Sequence, residues 1–123
     1  MFRKTESYTR EDISTAVGGG LRDCLSHSGN RVVAICMRKE MNPEAPLVLL
    51  VGEGPQKKKY SEILCRDQKN DPVPIFIKQP NGSWKFHGNY KVKNNSVEPA
   101  LIKRYQSKSG RTDVQMVIHF TEV

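Results

Sequence analysis

Trp84-Lys85-Phe86-His87 sets an aromatic ring, a cation, a second ring and an imidazole in four successive positions. Alternation along an extended chain puts Trp84 and Phe86 on one face, with Lys85 and His87 on the other. Lys78, Tyr90, Lys91 and Lys93 fall close by. Aromatic rings flanked by cations stack bases and hold phosphates, so the stretch is a candidate nucleic-acid surface. The same two rings could instead fill a core, leaving the lysines alone to face a phosphate backbone.

Gly18-Gly19-Gly20, with Asp23 three positions on, is the second candidate. One glycine past a helix end takes the left-handed conformation that closes the last turn. Three exceed that need, and the surplus lets the backbone come close to a strand or a ligand. Neither Gly-x-x-x-x-Gly-Lys-Ser/Thr nor Gly-x-Gly-x-x-Gly after a strand occurs, which excludes the usual nucleotide-enzyme loops. Lys57-Lys58-Lys59 reads as a solvated helix face or as a contact for a polyanion.

The other reactive side chains lack the company that catalysis needs. Cys36 sits in an apolar run and reads as a buried, inert thiol, and Cys65 reads as helix packing. Cys24, Cys36 and Cys65 are odd in number and widely spaced, so no disulfide framework is implied. His27, His87 and His119 are far apart, and no Cys-x-x-Cys pair offers a zinc site. Glu53, Glu62, Asp67, Asp71 and Glu98 have no metal-nuclease spacing, and no Gly-x-Ser-x-Gly elbow is present. No enzymatic activity, cofactor or metal is expected.

The elements that must carry these residues follow from pattern. Residues 1–8 are polar and expected to be flexible, and residues 9–123 form a single domain. Thr9-Arg10-Glu11-Asp12 has the form of a capping box, predicting a short helix with Ile13, Ala16 and Val17 on one side and Gly18–Gly20 at its end. Residues 21–30 read as a loop. Arg31 to Met37 and Leu47 to Val51 are apolar runs, each suited to a strand covered on both faces. Pro55 suits the first turn of a helix that reaches Asp67, with Tyr60, Ile63 and Leu64 on its apolar side. Val73, Ile75 and Ile77 alternate as in a half-buried strand, and Pro80-Asn81-Gly82 is a turn. Trp84–His87 is then a return strand, Gly88-Asn89 a second turn, and Tyr90–Lys93 a third strand. A helix over 99–109, closed by Gly110, and a last strand over 114–120 complete the order α-β-β-α-β-β-β-α-β. The fold class is α+β: a mixed sheet of about six strands, curled into a barrel, with three short flanking helices.

Lys and Arg number 20 against 13 acids, a net charge of +7. That surplus favours phosphate backbones or acidic surfaces. No apolar run approaches the roughly 18–20 residues of a membrane span. The first residues lack the hydrophobic core of a secretory leader, so an intracellular protein is expected, nuclear in a eukaryote and otherwise cytoplasmic.

Three stretches in order, Asn30-Arg31-Val-Val-Ala-Ile-Cys36, Asp71-Pro-Val-Pro-Ile-Phe-Ile-Lys78 and Trp84-x-Phe86-x-Gly88-x-Tyr90-Lys-Val92, resemble the SRA domain of the PUA-like barrels. The SRA-like domains of modification-dependent restriction enzymes and the EVE domains are similar neighbours. Gly18–Gly20 with Asp23 loosely resembles the family's Gly-Gly-Arg-Asp stretch. The resemblance implies a reader of modified cytosine in DNA, which flips a base out of the stack into a concave pocket. It implies that Gly18, Gly19, Gly20 and Asp23 line that pocket, with Asp23 accepting from an exocyclic amine. Arg31, Lys78 and Lys91 would lie nearer the phosphates. Only residues 21–29 stand where eukaryotic members carry a long insertion with a finger that fills the vacated stack.

The expected function is a nucleic-acid-binding module, for DNA rather than RNA, reading a modified, flipped base. Its site residues are Gly18, Gly19, Gly20, Asp23, Arg31, Lys78, Trp84, Lys85, Tyr90 and Lys91. The alternative is a protein-interaction or regulatory module whose basic face meets an acidic partner.

Overall fold

The computed structural model describes residues 2–123. Thr9 opens helix α1 (Arg10–Val17) with the expected box. Its hydroxyl accepts from the Asp12 amide at 3.0 Å, and the Asp12 carboxylate accepts from the Thr9 amide at 3.0 Å. Strand β2 (Leu25–Ser28) turns at Gly29-Asn30 into β3 (Arg31–Met37). Strand β4 (Val48–Val51) and helix α2 (Pro55–Asp67) form the crossover to β5 (Val73–Lys78). Strand β6 (Trp84–Ser96), helix α3 (Pro99–Ser109) and strand β7 (Met116–Glu122) follow, and Ser7–Tyr8 forms the short strand β1.

The strands make one curled mixed sheet in the order β2-β3-β5-β6-β7-β4, with β1 on β6. Only β3 and β5 run parallel; the other pairs are antiparallel. The six-strand path is a half-barrel with two ends, β2 and β4, which do not pair with each other. Helix α2 packs against both of them.

Alternation sorts the core onto two faces. Ile35, Ile75, Ile77, Leu49, Val51 and Ile118 face inward and meet Tyr60, Ile63 and Leu64 of α2. On the outer face Ala34, Cys36, Phe76, Trp84 and Phe86 are covered by Ile13 of α1. Further round, Val48, Leu50 and Val117 are covered by Tyr105, with Leu101 and Ile102, of α3. No helix among the described residues is long and apolar enough to cross a membrane.

Four expectations are corrected. Residues 25–28, read as loop, are strand β2; Leu25 and the small Ser26 supply its buried positions, too few for a visible alternation. Gly88-Asn89, read as a turn, lies inside the single long strand β6, where Gly88 pairs with Ile75 beside a register shift. Its φ of +133°, a backbone conformation that side-chain-bearing residues rarely adopt, explains the glycine there. The last strand starts at Met116 instead of Val114. Of residues 1–8, expected to be flexible, Met1 lies outside the described residues, but 7–8 pair with β6. The Phe2 ring packs edge-on to Phe76 with centroids 4.8 Å apart. The burial of one apolar ring offsets the polar composition of that end.

Candidate ligand cleft at the open seam of the sheet

A cleft of about 670 Å³ runs along the seam between the two ends of the half-barrel. Its apolar lining comes from both sheet faces. Leu25, Leu49, Val51 and Tyr60 belong to the inner core, whereas Cys36 and Trp84 belong to the cluster beneath α1. His27 stacks on Tyr60, with centroids 3.6 Å apart and planes 13° apart. Both rings are fixed by backbone carbonyls: Tyr60 Oη donates to Gly29 O at 3.1 Å, and His27 Nδ1 lies 3.1 Å from Leu25 O.

Six cations line the cleft, Arg10, Arg22, Arg38, Lys57, Lys78 and Arg111, against one acid, Asp23. Arg111 is already engaged. Its Nε and Nη2 donate to the Asp113 carboxylate at 2.9 and 3.1 Å, and Nη1 donates to Met41 O and Leu50 O. Hydrogen bonding to Arg111 holds the Asp113 carboxyl below its ordinary pKa. Arg111 therefore ties the end strand β4 to the segment before β7. The other five form no ion pair among the described residues.

Arg10 comes from the first turn of α1 and spans the cleft wall. Nη2 donates to Asp23 O at 2.9 Å and Gly20 O at 3.2 Å, and the guanidinium carbon sits 5.3 Å from the centre of the Trp84 ring. Burial pushes the Cys24 thiol up to about 11 and the Cys36 thiol up to about 12. At neutral pH both are protonated, so they contribute apolar surface and no thiolate. Among the described residues no three His, Cys, Asp or Glu side chains are grouped to hold a metal ion.

No family model, curated protein or solved structure matches the chain. Its chemistry rests on the side chains themselves.

Of the ten residues singled out in the sequence, Asp23, Lys78 and Trp84 line the cleft. Trp84 is 7% exposed, packed into the outer core and overlain by Arg10, so its ring is not an open stacking platform. Tyr90 is 5% exposed within the inner core, where the apolar body of the ring and not its hydroxyl decides its place. Arg31 opens β3, about 20 Å of strand away from Arg38, and pairs with Asp71 at 3.1 Å. Lys85 and Lys91 are exposed on β6, opposite Ser7 and Thr121.

Gly18 and Gly19 are packed against the β2–β3 hairpin, Gly20 accepts from Arg10 through its carbonyl, and none of the three lines the cleft. The residues that the sequence left unmarked are Arg10, Arg22, Arg38 and Arg111. None stands in a run of three like charges, and only the folded register brings them together.

At Gly19 the close approach is to protein. With φ at +88°, an added Cβ would run into Ser26 Oγ and stand 3.1 Å from Val33 Cγ2 and 3.3 Å from the His27 backbone nitrogen. Gly19→Ala is expected to cost about 2–4 kcal/mol, from the left-handed penalty and the overpacking together. Urea unfolding measures it, and a loss under 1 kcal/mol would mean the hairpin moves aside freely.

Proposed function

We propose that the protein binds nucleic acid, DNA in the first instance, and holds one base, a modified base in the most specific form, inside the cleft. The observation that carries this reading is the pairing of an apolar lining with five cations that form no ion pair among the described residues, in one cleft. A volume near 670 Å³ falls in the range of about 300–1,000 Å³ usual for small-ligand sites. It is ample for a single nucleotide, and the cations suit its phosphates. Asp23 is the one acid in the lining, and its carboxylate suits an exocyclic amine at a base edge. Taking a base out of a duplex costs a few kcal/mol, which contacts inside such a cleft offset.

The test is a titration of matched duplexes carrying cytosine, 5-methylcytosine or 5-hydroxymethylcytosine at two salt concentrations. A preference of about tenfold, or 1.4 kcal/mol, that survives added salt is expected. Overall affinity should fall with salt at a slope of about 0.9 per phosphate neutralised. In the same titration Asp23→Ala should remove the preference and leave the unmodified duplex nearly unaffected. Weak binding that is equal on all duplexes and vanishes with salt rejects the reading, and an acidic protein partner for the basic face then becomes the better one.

A further inference from the structure

The cleft has two unlike ends, and the outer one gathers cations around Trp84. Lys78 stands opposite Trp84 in the β5–β6 register. Arg38 follows Met37, which pairs with Ile77, so Arg38 comes level with Lys78 where the two parallel strands end. Each lies two positions beyond a residue of the outer cluster, Cys36 for Arg38 and Phe76 for Lys78, and so on that same face. Arg10 reaches in from α1, over the Trp84 ring.

Arg10 Nε is buried and has no hydrogen-bond partner among the described residues, although Nη2 of the same group is doubly engaged. Nη1 forms no hydrogen bond among the described residues and is not a buried atom, so it is the donor of this guanidinium left open to an oxyanion in the cleft. Donors converging from three elements suit a tetrahedral oxyanion better than a planar carboxylate, which one guanidinium fork satisfies alone. Asp23, also in the lining, opposes an anion with a single charge against these three.

We propose that Arg10, Arg38 and Lys78 form a phosphate subsite around Trp84, so that a bound nucleotide sets its phosphate at the α1 end and its base against Leu25, Leu49, Val51 and Tyr60. The orientation of the base rests on the nucleic-acid reading above; the phosphate subsite stands on its own cations.

Trp84 is the only tryptophan, so its emission reports on this site alone. Inorganic phosphate is titrated into the full chain against sodium chloride of equal ionic strength. Phosphate is expected to change the emission saturably, and chloride to leave it unchanged. Arg38→Met and Lys78→Met, with circular dichroism to show that each is folded, are each expected to weaken the midpoint about tenfold, the loss of one charge-assisted contact. An equal response to chloride, or midpoints unchanged in both variants, overturns the subsite. A duplex with one neutral methylphosphonate beside the preferred base separates a chain phosphodiester from free phosphate. Wild type should lose affinity for that duplex, and Arg38→Met should not lose more. Saturation by phosphate with no duplex binding would reject the nucleic-acid reading and leave the subsite standing. Base-selective duplex binding without any phosphate response would do the reverse.

Discussion

Gln68→Met is expected to lower the free energy of unfolding by about 2–6 kcal/mol, the cost of two buried backbone groups left without partners at about 1–3 each. Gln68 follows α2 and is 2% exposed. Its Oε1 accepts from the Val32 amide at 2.8 Å, and its Nε2 donates to the Val32 carbonyl at 2.8 Å. Strand β5 pairs with β3 only from Ile35 onward, so the amide takes the place of a strand neighbour for Val32. Methionine matches the length of glutamine but makes neither bond. Against a total stability of about 5–15 kcal/mol for a domain, the loss is large. Urea unfolding of the two proteins measures it, and a difference below about 1 kcal/mol would show that water replaces the amide. The site depends on the same stitch, because α2 carries Tyr60 and Lys57 on one wall of the cleft and β3 leads to Cys36 and Arg38 on the other.

The sequence made the periodic elements legible where one force set the pattern. Thr9 and Asp12 marked the start of α1, Pro55 that of α2 and Gly110 the end of α3, because caps are local chemistry. The alternation of Val73, Ile75 and Ile77 marked β5 because one face of that strand meets the inner core. Signals failed where a long-range contact decided. Gly88 looked like a turn but serves a positive-φ position beside the register shift of β6 against β5, and the polar end of the chain is held by Phe2 against Phe76. Gln68 gave no sign of its role, since its partner is 36 positions away.

The candidate site was legible in its composition and not in its geometry. A net charge of +7 favours association with anionic surfaces, and Lys78 and Trp84 do meet across β5 and β6. Arg38 and Arg10 join them only because β3 runs parallel to β5 and α1 lies across the outer face, two facts of topology that single-sequence pattern does not carry. Tyr90, which the aromatic-and-lysine pattern put at the surface, turns inward with Val92, beyond the register shift that separates them from Trp84 and Phe86 on the outer face.

Trp84 joins fold and site, and its replacement separates the two. Trp84→Ala is expected to cost about 3–5 kcal/mol, because the ring packs with Ile13, Phe76 and Phe86 at 7% exposure. Leucine keeps much of the apolar volume, so Trp84→Leu should lose less and leave a folded majority for binding measurements. Were Trp84 a base platform, removing its π face would cost about 1–3 kcal/mol, roughly 5- to 150-fold in affinity. The ring instead lies under Arg10, and the cation–π contact it gives that group is worth about 0.5–1 kcal/mol. Duplex affinity of folded Trp84→Leu is therefore expected to fall less than about fivefold. Titration of the folded variant measures this, with thermal unfolding followed by circular dichroism to fix the working temperature. A loss of tenfold or more with the fold intact would place the base on Trp84 itself, reversing the two ends of the cleft; a smaller loss keeps the base against Tyr60 and leaves Trp84 as the support that aims Arg10 at the phosphate.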